Sequence, residues 1–464
     1  MRVSAAQKPF NRSGFSTMWV EGTVRFAAPG ERSAAVGLFV ASAAATLTIA
    51  VPTPLAAWAY AFVALTGACW WTFNSTYSQP ARLSAALGNE DARLSAAVGN
   101  EPAKEPRALG FGPLRDLALL AIASCGALQW ITGATVYRYA TLDAWTRTVA
   151  LVATVLVARG ALANGSVRRS FLRAFVWFAA IASGTAVLTY FTSPGRILWL
   201  FPSPYPDTWG PFLSRNDFAA FLELTFPVAL WMGLEGAVPS LPEHLSQHSS
   251  QHLSQQRRHA LRPSGGRKGD PVYLCVAAWL LAAGCASASR AGSALLAAEA
   301  IVILASRATR RAAMQFAAAA AVLIALAGAG TLVERWGQPD PLRERREIQQ
   351  SALAMIAERP IRGFGIGTFA RVYPAYARFD PGAAVEHAHN DWLEWAAEGG
   401  LPYALAWVVV AVSVVKPAAR AMWGLGVLAV FLHALVDYPF ARFGVSAWTM
   451  ALIGALSADD RRET

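Results

Sequence analysis

Charge is scarce in this chain. Of its 464 residues, 15% are Asp, Glu, Lys or Arg and 55% are hydrophobic, whereas a soluble domain carries about 25% charge. With a mean hydropathy of +0.35, that shortage argues against a soluble globular domain and against a disordered chain. Acidic residues are the scarcer sign, 29 against 40 basic, for a net charge of +11. Cysteine is almost missing. The four present (Cys69, Cys125, Cys275 and Cys285) all fall inside apolar runs, where they read as small core residues rather than a disulfide or metal framework. No compact apolar core stands near the start. Residues 1–32 are mixed and basic, so no cleavable signal peptide is expected.

Apolar runs of roughly 17–20 residues fill the space that charge leaves. Twelve candidate spans lie near 33–51, 55–73, 115–134, 146–162, 171–191, 218–235, 270–288, 291–306, 312–330, 401–415, 421–436 and 443–457. They predict an all-α polytopic integral membrane protein of about twelve transmembrane helices with one long outer loop. Several spans are rich in Ala and Gly, which suits close helix packing in lipid. With the N-terminus in the cytoplasm, most of the 40 Lys and Arg fall on the cytoplasmic side, as the positive-inside rule demands. Many of the rest lie in the long loop 331–400, which largely escapes that rule. The positive charge is therefore a topology signal. Membrane lipids are the expected surroundings, and no nucleic-acid partner is expected.

The resulting organisation is a cytoplasmic segment 1–32, nine spans over 33–330, an outer loop 331–400, three spans over 401–457 and a cytoplasmic tail 458–464. Two cytoplasmic linkers interrupt the first block, near 74–114 and 236–269. Within the first, residues 81–102 hold a tandem eleven-residue repeat, read as a duplicated linker or as one short amphipathic helix. Within the second, residues 244–259 repeat His, Ser and Gln. His244, His248 and His252 would share a helix face, but the segment has no apolar side and reads as a linker.

The long outer loop carries the most informative stretch, His387 to Glu394, closing on Glu398-Gly399-Gly400. An imidazole beside a bilayer is a functional-site signal. Asp391-Trp392-Leu393-Glu394 has the form of a capping box, with Gly399-Gly400 as the helix stop. His389 and Asn390 would then precede a helix N-terminus, where free amides favour an anion. Trp392 and Trp395 would give that helix a side to lie on the membrane. His387, two residues away, reads as a bystander. A metal between the two histidines is a minor alternative, and no metal or cofactor is expected. Upstream, residues 346–356 show helical spacing and carry Arg346, and Gly363 to Gly367 reads as a flexible turn.

Topology brings further polar groups to the same side: Arg215 in Ser214-Arg215-Asn216-Asp217, Arg290 in Ser289-Arg290-Ala291-Gly292, and Asp437 and Arg442 between the last two spans. Each Arg at a span mouth has a bland reading, snorkelling to the headgroups. Two of them beside a histidine point instead to a phosphate, because the guanidinium fork matches its oxygens. The aromatic, Pro-rich loop 192–214 is read either as a stacking surface for sugars or as an interfacial belt.

In order and spacing these residues resemble the bacterial O-antigen ligase family, a superfamily that also holds O-antigen polymerases and protein O-oligosaccharyltransferases. The match is carried by His389-Asn390 followed by Gly400 and Tyr403, by Ser214-Arg215-Asn216, and by Ser289-Arg290-Ala291-Gly292. Pro360 with Gly363 to Phe369, Tyr373-Pro374 and His433 to Asp437 complete it. It runs from about residue 210 to 445. The resemblance implies a GT-C-like membrane glycosyltransferase of the bacterial inner membrane with its site on the outer face. Its donor would be a glycan on a polyprenyl (undecaprenyl) diphosphate, and its acceptor a hydroxyl of lipid A core, another glycan or a protein. By resemblance, His389 is the base and Arg215 and Arg290 hold the diphosphate. The reaction would be metal-independent and inverting. Asn390, Asp437, Arg442 and Arg346 are secondary candidates. The rival readings are a transporter or exporter of lipid-linked glycan, for which Glu223 and Glu299 are the mid-span acids to watch, and a non-catalytic scaffold. The orientation is testable directly. A single cysteine introduced near residue 380 should react with a membrane-impermeant maleimide on intact cells, and protection there would reverse the topology.

Overall fold

The computed structural model describes residues 29–47, 59–64, 111–203, 207–234, 269–327, 343–380 and 384–460, with isolated positions between them. The repeat at 81–102 and the His/Ser/Gln segment at 244–259 lie outside the described residues. The described chain is almost entirely helical. In order it forms α1 (Pro29–Leu47), α2 (Phe111–Thr132), α3 (Arg138–Ala161), α4 (Gly165–Thr192), α5 (Arg215–Leu234), α6 (Pro271–Ala286), α7 (Arg290–Arg307) and α8 (Arg310–Ala327). There follow α9 (Arg343–Glu358), the single turn α10 (Phe369–Val372), α11 (Asp391–Gly399), α12 (Leu401–Ala421), α13 (Leu425–His433) and α14 (Phe443–Asp460). One departure is a two-residue antiparallel ladder, β1 (Arg196–Ile197) with β2 (Phe201–Pro202).

Five described helices are long and apolar enough to cross a membrane: Gly112–Thr132 within α2, then α3, α4, α5 and α12. The protein is a multi-pass membrane protein. Two shorter apolar helices, Pro271–Ala286 and Phe443–Ala458, join them. α5 lies at the centre, with most of its residues buried. The main core gathers on Trp448 of α14, which stacks on Phe175 at 4.1 Å and meets Phe39 and Phe178 at 5.6 and 5.8 Å.

α13 differs from the expected span at 421–436. It has only nine residues, and at 1.5 Å per residue reaches about 14 Å, well short of a bilayer. It stops because other segments take its terminal carbonyls, which a helix end leaves unpaired. Trp392 Nε1 donates to Phe431 O at 3.2 Å, Asp391 N to Ala434 O at 2.9 Å and Asn390 Nδ2 to Leu435 O at 2.9 Å. Arg345 Nη1 donates to Val436 O. The open end of α13 is thus the platform on which the start of α11 and one arginine of α9 are fixed.

In the segment expected as a loop, 331–400, the described residues from 343 on are largely folded. α9, α10 and α11 enclose a second small core of Ile348, Ala352, Met355, Phe364, Phe369, Val372, Tyr373, Ala388 and Ala397. Of the two tryptophans expected to lie on the membrane, Trp395 is covered by the chain and Trp392 is half-buried. Trp395 is buried and stacked on Trp407 of α12 at 4.5 Å, and Trp392 packs edge-on against Trp395.

The glycine turn is not a flexible one. Phe364 N donates to Ala397 O at 3.0 Å, Gly365 N to Glu398 O at 2.9 Å, and Val136 N to Phe364 O at 2.9 Å. Gln129 ties the same turn from α2, donating to Arg362 O and Glu398 O at 2.8 Å and accepting from Ile366 N at 3.0 Å. Gly363 has φ +62°, and a Cβ there would meet Glu398 O at 2.1 Å. Gly382 has φ +71° with open space around it. Gly382→Ala should therefore cost only the left-handed backbone term, about 1–2 kcal/mol, while Gly363→Ala should lower the thermal midpoint in detergent clearly further. Equal shifts would contradict the close-approach account.

Candidate active site

Four segments meet at one end of the bundle. The start of α5 brings Arg215, Asn216 and Asp217. The start of α7 brings Ser289 and Arg290. The chain before α11 brings His387, His389 and Asn390. The turn after α13 brings Asp437 and Tyr438. They join through hydrogen bonds. Ser289 Oγ donates to Asn216 Oδ1 at 2.9 Å, and Asn216 Nδ2 donates to Asp437 Oδ2. His389 Nδ1 lies 3.2 Å from Asp437 Oδ1.

His389 is held in an unusual conformation. Its φ is +51°, a region a non-glycine residue enters at a cost of about 1–3 kcal/mol and one that marks functional sites. Gln349 Nε2 of α9 holds its carbonyl at 3.2 Å, and its ring meets the Tyr438 ring edge-on at 4.9 Å. The next residue, Asn390, is the N-cap of α11, its side chain accepting from Leu393 N at 3.1 Å. That corrects the expected capping box by one residue. Asp391 is already inside the helix, buried, with Oδ2 accepting from Phe440 N at 2.9 Å. Glu394 reaches back further than a capping box would. It accepts from Ala388 N at 2.8 Å and pairs with His387 Nδ1 at 2.9 Å.

Burial alone would raise the carboxyl of Asp437. The hydrogen bond from His389 and the charge of Arg345 outweigh it and hold the group far below the ordinary carboxylate range. An ionised carboxylate can only accept, so the Nδ1 that faces Asp437 is a ring nitrogen that carries a proton. His389 keeps 30% of its side chain exposed while Asp437 keeps 7%.

Arg215 and Arg290 flank this network, each next in sequence to a member of the Asn216–Ser289 pair. Arg215 pairs with Asp207 of the preceding loop. Arg290 opens α7 immediately after its cap, Ser289. Arg442 is committed to a buried neighbour: its Nε lies 3.0 Å from Asp217 Oδ2, and its guanidinium sits 5.0 Å over the Tyr438 ring. On α9, Arg345 is the residue that reaches the centre, 3.5 Å from Asp437 Oδ2, while Arg346 is exposed one position on.

His387 is more than a bystander. It stacks on Tyr438 at 4.5 Å, so one tyrosine contacts both histidines. Burial would lower its pKa, but the Glu394 carboxylate prevails and raises it. Spacing could have found Arg345, which precedes the buried Ile348, Ala352 and Met355 on one helix face. No such signal marked Tyr438 or Asp207. In the aromatic loop, Trp209 is buried between Tyr190 at 4.0 Å and Phe218 at 5.3 Å. It cannot stack on sugars, whereas Trp199, Phe201 and Tyr205 remain exposed.

Residues 275–408 match the family model described as O-antigen ligase. The resemblance seen in the motifs is borne out over this stretch, which contains Arg290, His389 and Asn390 and stops short of Asp437. The broad activity that goes with the domain is glycan transfer at a membrane. No curated protein matches the chain.

Glu398 generates a pH prediction. Burial, then the nearby charge of Glu394, push its carboxyl up to about 8, although Gly367 N and Phe369 N donate to it at 2.8 and 2.7 Å. An acid raised on folding takes up a proton as the chain folds, so its stability contribution is full in acid and is lost as pH climbs through the folded value. The thermal midpoint should fall from about pH 5 to about pH 8, and Glu398→Gln should flatten that fall. An unchanged slope in the variant would contradict the assignment.

Proposed function

We propose that this chain is a metal-independent, inverting glycosyltransferase of the bacterial inner membrane, with its site on the outer face. It moves a preassembled glycan from a polyprenyl diphosphate to an acceptor hydroxyl, as in O-antigen ligation or polysaccharide polymerisation. The observation that carries the reading is the His389–Asp437 contact at 3.2 Å, set at the bundle end where Arg215 and Arg290 begin their helices.

In this scheme Nε2 of His389 takes the proton of the acceptor hydroxyl as its oxygen forms the new bond to the anomeric carbon. The bond from that carbon to the diphosphate oxygen breaks, and its electron pair leaves with the diphosphate. Asp437 stabilises the imidazolium. A general base of this kind is worth about 10²–10⁴-fold. Arg215 and Arg290 receive the charge on the leaving group, where a well-placed donor contributes about 3–4 kcal/mol. Arg215 would exchange its carboxylate partner, Asp207, for the diphosphate. Asn216 and Ser289 set the distance between the two helix starts. Whether the acceptor is lipid A core, a glycan repeat or a protein hydroxyl is a matter of loop shape, and the first two are preferred.

One observation favours a second reading, a carrier of lipid-linked glycan. His433 Nδ1 and Glu223 Oε1 lie 2.7 Å apart, both fully buried, and Glu299 is buried nearby without a hydrogen-bond partner among the described residues. Acids at mid-span are what carriers use.

Two measurements with purified protein and a polyprenyl diphosphate-linked glycan, transfer to candidate acceptors and movement across liposomes, separate the two. His389→Ala should lose at least about 10²-fold in transfer, in the presence of EDTA as in its absence. Arg215→Ala and Arg290→Ala should lose donor use, with Lys restoring only part. Full transfer by His389→Ala would remove the base. Activity abolished by EDTA and restored by a divalent ion would replace the metal-free scheme, and glycan movement across liposomes without product would favour the carrier.

A further inference from the structure

The lobe built by α9, α10 and α11 holds a cavity that the transfer chemistry does not use. It is open to solvent, with a volume of about 630 Å³, inside the range of about 300–1,000 Å³ for small-molecule sites. Its walls come from separate segments. Tyr137 stands in the turn between α2 and α3, Glu358 and Arg359 at the end of α9, Phe364 in the glycine turn, and Arg371 and Tyr376 after it.

Three aromatic rings and two guanidinium groups line this space. The Arg359 guanidinium lies 4.4 Å over the Phe364 ring, and that of Arg371 lies 5.4 Å over the Tyr137 ring. Seating on a ring face holds each cation while leaving its N–H edge available. Phe364 and Tyr376 meet at 5.8 Å, nearly perpendicular, so their faces form a corner. The one acid is already engaged: Glu358 accepts from the Tyr376 hydroxyl and lies 3.9 Å from Arg359. Among the described residues no acid pairs with Arg371. The cavity therefore has ordered donors for an anion beside flat apolar faces. The walls are fixed before any ligand arrives, because the Phe364 backbone is bonded on one side to Ala397 and on the other to Val136.

Position narrows the choice further. α9 carries Arg345 at the Asp437 network and Glu358 at the cavity. At 1.5 Å per residue, the stretch between them spans about 20 Å. Gln349, which bonds the His389 carbonyl, stands nine residues before Glu358, about 13 Å along the same helix, a separation that a chain of a few sugars spans.

We propose that this cavity is a glycan-binding subsite selective for a sugar bearing a carboxylate or phosphate. It would grip a glycan chain remote from the reacting bond. A pyranose with an anionic substituent offers an apolar ring face to Tyr376 or Phe364 and an anion to the Arg371 and Arg359 forks. The role in transfer rests on the glycosyltransferase reading; the ligand class rests on the cavity alone.

The test is equilibrium binding of tetragalacturonate and of neutral maltotetraose to the full-length protein in phosphatidylcholine nanodiscs. Tetragalacturonate should bind at least about tenfold tighter than maltotetraose. Arg371→Ala should weaken it by about tenfold, and Arg371→Lys should lose less. Ala375→Trp, at an exposed wall position, should block it by filling space without altering charge, and unchanged thermal midpoints identify folded variants. No tetragalacturonate binding, equal binding of both sugars, or wild-type affinity in Arg371→Ala and Ala375→Trp overturns the proposal. Displacement by dihexanoyl-phosphatidylglycerol at lower concentration than by glucose 6-phosphate assigns the cavity to a lipid headgroup and also overturns it. A protein that binds tetragalacturonate through Arg371 yet transfers no glycan leaves the subsite standing and removes the transferase reading.

Discussion

The carboxylate of Asp437 receives His389 on one oxygen and both Asn216 and Arg345 on the other. Those three partners come from three places in the chain, the turn before α11, the start of α5 and the first turn of α9, and they meet Asp437 in the turn after α13. A buried charge is tolerable only when it is paired and hydrogen-bonded. Deleting a single partner of such a network costs about 3–5 kcal/mol. The same condition therefore assembles the site and sets the state of its histidine. Ionised Asp437 orients the ring, and the ring is one reason that Asp437 stays ionised.

Around that carboxylate, α11 acts as a clamp. Its three acids each fasten a different stretch of backbone. Asp391 holds Phe440, Glu394 holds Ala388, and Glu398 holds Gly367 and Phe369. The His389 loop, the glycine turn and the turn carrying Tyr438 are thus registered against one short helix. α13 contributes by stopping early, so that its last carbonyls are available to Asp391, Asn390 and Arg345. Positioning a catalytic group in this way depends on supporting contacts as much as on the group.

Much of the helix layout was legible in the sequence, because apolar length is a strong signal. The helices from α2 to α8 fall where apolar runs predicted them. The motifs at Arg215, Arg290 and His389 were visible because polar residues at span ends stand out against their surroundings. What the sequence hid depends on tertiary contacts. α13 is apolar enough to read as a longer span, and only its carbonyl partners explain its end. The capping signal was real but off by one, since Asp391 is drawn inside the helix by Phe440 N. Glycines at 363, 365 and 367 read as flexibility, although their positive φ and close neighbours make them the tightest part of the lobe. Trp395 read as membrane-facing because a sequence does not show Trp407 of α12 waiting to receive it.

In the proposed transfer His389 and Asp437 act as one unit, and a double-mutant cycle on glycan transfer tests that unit most directly. His389→Gln, Asp437→Asn and the double variant would be compared in initial rate at saturating donor. Groups that act together are strongly non-additive. The double variant is therefore predicted to be little slower than His389→Gln alone. Losses that simply multiply would show that the two residues contribute independently, and the dyad would have to be abandoned.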